Sequence, residues 1–110
     1  MEIEVTNIKD ISVVHVNGFM DASTSPIVEE EVLKLIEEGK TKLLLNLKDV
    51  SYMSSSGLRV FLSASKSIKA VKGKFIVCEA NEVVQEILKI SGFDLIIEVQ
   101  EKYEEAILSF

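Results

Sequence analysis

The sequence predicts a mixed α/β fold: a mostly parallel β-sheet with helices packed on it, in the order β-β-α-β-α-β-α-β-α. Three observations predict it. Strand-sized runs rich in β-branched residues or leucine recur at residues 2–8, 11–16, 42–47, 74–78 and 95–99. Between the later runs, apolar residues repeat every three or four positions, as on one face of a helix. Alternating strands and helices give parallel pairing with right-handed crossovers, and the two opening strands, joined by a short turn, add one antiparallel pair.

Ile3 and Val5 alternate with polar neighbours, the pattern of a half-buried strand. Lys9-Asp10 turns the chain into the run from Ile11 to Val16, which Asn17-Gly18 ends. Ser25-Pro26 opens the first helix, because serine caps and proline at the first helical position loses no useful N–H. Glu29, Glu30 and Glu31 sit near the positive end of its dipole, Val28, Val32, Leu35 and Ile36 form its buried stripe, and Gly39 closes it. Lys42 to Leu47, interrupted only by Asn46, reads as a central strand covered on both faces. After a polar, serine-rich segment from Asp49 to Gly57, a second helix carries Leu58, Phe61, Leu62, Ser65 and Ile68 on one face and ends before Gly73. Lys74 to Cys78 is a short strand. Asn81 caps a third helix with Val83, Val84, Ile87 and Leu88, and Gly92 stands at its end. Leu95 to Val99 is the last strand, and Tyr103, Ala106, Ile107 and Phe110 give a C-terminal helix one apolar face.

The chain has 110 residues, 47% of them hydrophobic, which suits a single domain over residues 1–110 whose core needs no metal or disulfide. Twelve Lys and Arg against 18 Asp and Glu give a net charge of -6, which argues against nucleic acid and anionic membrane as partners. A single cysteine excludes an intrachain disulfide and fits a reducing compartment. Residues Met1 to Val5 show no secretory signal, and no apolar run approaches the ~20 residues of a membrane span, so the expected location is cytoplasmic.

In sheets of this kind, function gathers beyond the carboxyl ends of the strands. Two loops fall there: Gly18 to Ser25, which includes Asp21, Ser23 and Thr24, and Asp49 to Gly57. The run Ser54-Ser55-Ser56-Gly57 has two readings. One is helix capping, for which one serine suffices. The other is a phosphorylatable serine at a helix N-terminus, with Gly57 letting a partner approach the backbone closely. The helix end welcomes a phosphate dianion, whereas a packed interface must desolvate it. Asp21 and Asp49, if they line the same mouth, add repulsion.

His15 and Cys78 read as packed strand residues, and one His with one Cys makes no zinc set. Arg59, the only arginine, is either a solvated charge or a contact to phosphate or an acidic partner. Phe19 and Met20, where exposed, would form a small apolar patch. Nucleotide-binding glycine motifs and the G-x-S-x-G elbow are absent, so no catalytic residue, cofactor or metal is expected.

Met53-Ser54-Ser55-Ser56-Gly57-Leu58 resembles the M-D-S-S-G-L signature of bacterial anti-sigma factor antagonists, single-domain members of the STAS superfamily. Val16-Asn17-Gly18-Phe19-Met20-Asp21 is similar to the family's strand end and G-x-x-D loop, and Leu44 to Val50 to its central strand. Ile90-Ser91-Gly92-Phe93 and Glu104-Glu105-Ala106 resemble its closing pieces. The resemblance implies a partner-switching protein whose unphosphorylated form binds an anti-sigma factor and frees a sigma factor. That anti-sigma factor is also a serine kinase of histidine-kinase-like ATPase fold, and a PP2C-type phosphatase reverses its modification. The resemblance makes Ser55 the acceptor, with Ser56 and Ser54 as alternates because Ser54 replaces the family's aspartate. Asp21 falls where the family uses an acid in partner contacts. Partner binding is thus expected through Asp21, Ser23, Thr24, Ser54, Ser55, Ser56, Gly57 and Arg59. The alternatives are a STAS scaffold or a nucleotide- or anion-sensing module in a stress-signalling assembly.

Overall fold

A computed structural model describes residues 2–110; Met1 lies outside the described residues. β1 (Glu2–Ile8) and β2 (Ile11–Met20) form the antiparallel hairpin about Lys9-Asp10, with Ile8 opposite Ile11. There follow α1 (Ser25–Glu37), β3 (Lys42–Met53), α2 (Ser55–Ala70), β4 (Lys74–Cys78), α3 (Glu82–Ser91), a 3-10 turn at Phe93–Leu95, β5 (Glu98–Gln100) and α4 (Tyr103–Leu108). The strands lie side by side in chain order, and every pair after the first is parallel. The predicted element order is the observed one.

The alternation of each strand divides its side chains between two cores. Val14, Val16, Leu43, Leu45 and Val77 face α1, α2 and α3, where Val28, Val32, Phe61, Ile68, Val84 and Leu88 meet them. Phe61 packs edge-on against Phe75, ring centroids 6.2 Å apart. On the other face, Ile11, Val13, Leu44, Ile76 and Cys78 form a smaller cluster with Ala106, over which Tyr103 and Ile107 of α4 and the following Phe110 pack. β3 is buried from both sides, as its leucine run predicts.

The helix ends follow local rules. α1 closes with paired backbone bonds, from Gly39 N–H to Ile36 O and from Lys40 N–H to Leu35 O, both 3.0 Å. That arrangement requires a left-handed residue, and Gly39 supplies it at φ +88°. Gly92 does the same for α3 at φ +78°. Asn81 caps α3 as expected, its Oδ1 accepting the Val84 N–H at 2.8 Å.

Five expectations need correction. β2 runs on through Asn17-Gly18 to Met20, because register shifts between His15 and Asn17 and between Gly18 and Phe19 keep it paired to β3. β3 likewise extends through Asp49 to Met53 instead of becoming a loop at Leu47, so α2 starts at Ser55, directly after Ser54. The buried face of α2 is Gly57, Val60, Phe61, Ala64, Ser65 and Ile68, with Leu58 and Leu62 only half-buried at its margins. Ser25 does not cap α1; it is the first helical residue, with Pro26 second. The apolar run from Leu95 is not all strand, since the 3-10 turn takes its start and β5 pairs with β4 only from Glu98 to Gln100.

Candidate functional site

The two long strands carry the site. β2 and β3 end side by side at Met20 and Met53, both fully buried, and the chain leaves each into a helix-capping loop. Those loops are tied together at their roots: the Ser54 N–H donates to Met20 O at 2.8 Å, and the Ser54 hydroxyl lies 3.3 Å from the same carbonyl.

Ser54 is the N-cap of α2. It has extended backbone, and its Oγ accepts the Ser56 N–H at 3.2 Å. Ser56 therefore supplies the capped N–H rather than the capping oxygen. Ser55, the first helical residue, is exposed, and its hydroxyl makes no hydrogen bond among the described residues. Of the three serines, the cap consumes the first and leaves the second presented to solvent. Gly57 is buried, and it is the chain itself that approaches it. A Cβ there would lie 3.1 Å from Met20 Cβ, 3.2 Å from Met20 O and 3.3 Å from Met53 Cβ. The glycine thus seats the start of α2 on the strand ends and offers no open backbone to a partner.

The first loop is organised by Asp21. Its Oδ1 accepts the Ser23 N–H at 2.9 Å, the Ser23 hydroxyl at 2.8 Å and the Thr24 N–H at 3.1 Å. The Thr24 hydroxyl accepts the Asp21 N–H at 2.9 Å and donates to Phe19 O at 2.6 Å. The hydroxyl and N–H of Ser23 and the N–H of Thr24, all donating to the ionised form, hold the Asp21 carboxyl below the usual carboxylate range. Asp21, Ser23 and Thr24 thus form one self-bonded loop, and a sequence reading of three separate contacts misses that bonding. Phe19 is 57% exposed while Met20 is buried, so the apolar patch beside Asp21 contains Phe19 alone of the two. Tyr52, its register partner on β3 and 48% exposed, completes an aromatic pair that sequence reasoning missed. The only available signal was the pairing register, hidden by the two shifts in β2.

Arg59 is exposed one turn into α2, at a groove of about 280 Å³ between the starts of α1 and α2, which Ser25, Glu29 and Ser56 also line. Asp49 does not join this mouth. It hydrogen-bonds His15 (Nε2 to Oδ2, 2.7 Å), and His15 alternates with Val14 and Val16, which places the pair on the α4 side of the sheet. His15 is therefore a half-exposed strand residue whose partner is a carboxylate and not one of the serines. Cys78 is buried, and burial pushes its thiol up to about 12. Among the described residues, no three His, Cys, Asp or Glu are grouped to hold a metal. No helix among the described residues is long and apolar enough to cross a membrane. A larger groove of about 840 Å³ lies between α3 and β5, but Glu82, Glu86, Asp94, Glu98 and Glu101 line it against the single cation Lys89, and such walls repel phosphates.

The sequence profile of the STAS domain matches residues 2–106, nearly the whole described chain. The chain belongs to the STAS domain family. An anti-sigma-B factor antagonist of Bacillus subtilis is 35% identical to this STAS chain over 98 residues, covering 89% of it and 88% of the relative. The crystal structure of an anti-sigma factor antagonist from Mycobacterium paratuberculosis superposes with a TM-score of 0.90 at 20% identity, covering 98% of this chain and 92% of that one. The Bacillus cell fate determinant SpoIIAA in its phosphorylated form superposes at 0.74 with 21% identity, covering 96% of each chain. These structural likenesses show the STAS fold.

Proposed function

We propose that this chain is an anti-sigma factor antagonist switched by phosphorylation of Ser55. Unphosphorylated, it binds an anti-sigma factor that is also a serine kinase of histidine-kinase-like ATPase fold, and so releases a sigma factor. The kinase transfers the γ-phosphoryl group of ATP to Ser55 Oγ, yielding ADP and a proton, and the complex dissociates. A PP2C-type phosphatase hydrolyses the phosphoester to serine and inorganic phosphate and resets the chain.

One observation carries the reading: Ser55 is exposed at the first position of α2, its hydroxyl without a hydrogen bond among the described residues, while Ser54 holds the cap. A phosphate there adds about 1.5 to 2 negative charges beside the positive end of the helix, which the fold accepts. A partner seated on the same surface must desolvate that dianion next to Asp21. A thousandfold loss of affinity corresponds to only ~4 kcal/mol, well within what one misplaced dianion supplies. The Bacillus subtilis relative, named as an anti-sigma-B factor antagonist, and the phosphorylated form of SpoIIAA support the same reading.

The test uses the co-purifying kinase. Ser55→Ala should bind it but stay bound when ATP is added, and Ser55→Asp should bind at least tenfold more weakly. Mass mapping after reaction with ATP should place the phosphate on Ser55. Equal binding by the two variants, or modification elsewhere with Ser55 untouched, would sink the proposal.

A further inference from the structure

The groove between the starts of α1 and α2 holds two side chains that the switch above leaves unused, Ser25 and Arg59. Ser25 is 2% exposed, and its Oγ is the one buried side-chain oxygen or nitrogen without a hydrogen-bond partner among the described residues. Such a hydroxyl is costly to leave unmatched, and Ser25 forms part of the groove wall. Arg59, on the opposite wall, makes no ion pair among the described residues. The start of α2, where Ser56 lines the same groove, adds the positive end of a 16-residue helix. An unpaired guanidinium, an unmatched buried donor and a helix N-terminus around one small groove are together complementary to a phosphomonoester.

We infer that this groove is the receptor for the phosphate carried on Ser55, which Arg59 grips in cis with the Ser25 hydroxyl as a second donor. The inference rests on the Ser55 reading above. Ser55 and Arg59 are four residues apart on α2, the spacing at which helix side chains meet. Glu29, on the α1 side of the groove, and Asp21, in the loop before it, are the carboxylates that oppose an anion here. With Glu29 offsetting Arg59, a phosphate arriving from solution gains little. A tethered phosphate has an effective concentration in the millimolar range and needs no more. Phosphorylation then does two things at once: it adds a dianion and withdraws Arg59 from any partner.

The experiment installs phosphoserine at position 55 of the full chain by genetic encoding, so no kinase or partner is required. The second ionisation is followed by phosphorus NMR. In the phosphorylated wild type, it should fall below the value near 6 of an exposed phosphoserine. Arg59→Gln should raise it by roughly 0.15 to 0.4 of a pH unit, and Arg59→Lys should restore part of the shift. Ser25→Ala should raise it as well, while leaving the melting temperature of the unmodified protein unchanged or higher, since it removes an unmatched group. An ionisation that stays put in both Arg59→Gln and Ser25→Ala overturns the inference. So does saturable binding of inorganic phosphate by the unmodified protein below ~1 mM, which would make the groove a site for free anions. Neither result touches partner release, which stands or falls with the Ser55→Ala and Ser55→Asp comparison.

Discussion

Replacing Gly57 by alanine sets two effects of opposite sign against each other. Alanine in a helix is favoured over glycine by about 1 kcal/mol. The added methyl would meet Met20 Cβ at 3.1 Å, Met20 O at 3.2 Å and Met53 Cβ at 3.3 Å. None of these is the far end of a flexible side chain. All three belong to the ends of β2 and β3, and the Met20 carbonyl is already fixed by the Ser54 N–H. Over-packing of this kind costs about 1–3 kcal/mol, and rigid neighbours place this case in the upper part of that range. The net expectation is a loss of about 1–2 kcal/mol. With an unfolding entropy of about 2.1 cal/mol/K per residue, that is a melting temperature lower by roughly 4–9 °C. Calorimetry and urea unfolding would measure it, with the midpoint falling and the slope unchanged. A Gly57→Ala protein as stable as the wild type, or more so, would refute the claim that α2 is seated through this contact.

Three further outcomes are expected. Asn81→Ala removes both the Val84 cap and the Nδ2 bond to Val50 O at 3.1 Å, so it should cost about 1–2 kcal/mol and speed amide exchange at Val84. Because the Asp21 carboxyl is held below its ordinary value of 3.8, its stabilising contribution is present above that pH and is lost as pH falls through the lowered folded value. Acid unfolding of Asp21→Asn should therefore be less steep below about pH 4 than that of the wild type. Cys78, with its thiol pushed up to about 12 by burial, should resist alkylation at pH 8 in the native protein and react at once in denaturant.

The sequence made some elements legible because their signals are local. Lys74–Cys78 is bounded by turn residues and fully apolar within, and Asn81 opens α3 and Gly39 closes α1 through bonds to near neighbours. The tails of β2 and β3 were not legible, because Asn17-Gly18 carries a turn signal that pairing to β3 overrides, with Gly18 taking φ +125° to keep the ladder going. The placement of the exposed Tyr52 beside Phe19 disappeared with them. The serine run was readable as special, but which serine caps and which stays free depends on the start of α2, a boundary one residue wide. At α1, the N-cap preference pointed to Ser25, while the loop is in fact ordered by Asp21, four residues upstream. A carboxylate that bonds to its own loop leaves no periodic trace in the chain.

The arrangement around Asp21 also limits how anything can grip it from outside. One carboxylate oxygen takes four hydrogen bonds from its own loop, and the other takes none among the described residues. An incoming guanidinium therefore finds a single free prong and cannot form the two-pronged clasp that makes arginine–carboxylate pairs strong. Under the proposed partner-switching role, recognition at this residue would be graded rather than tight, which suits a contact that must be released.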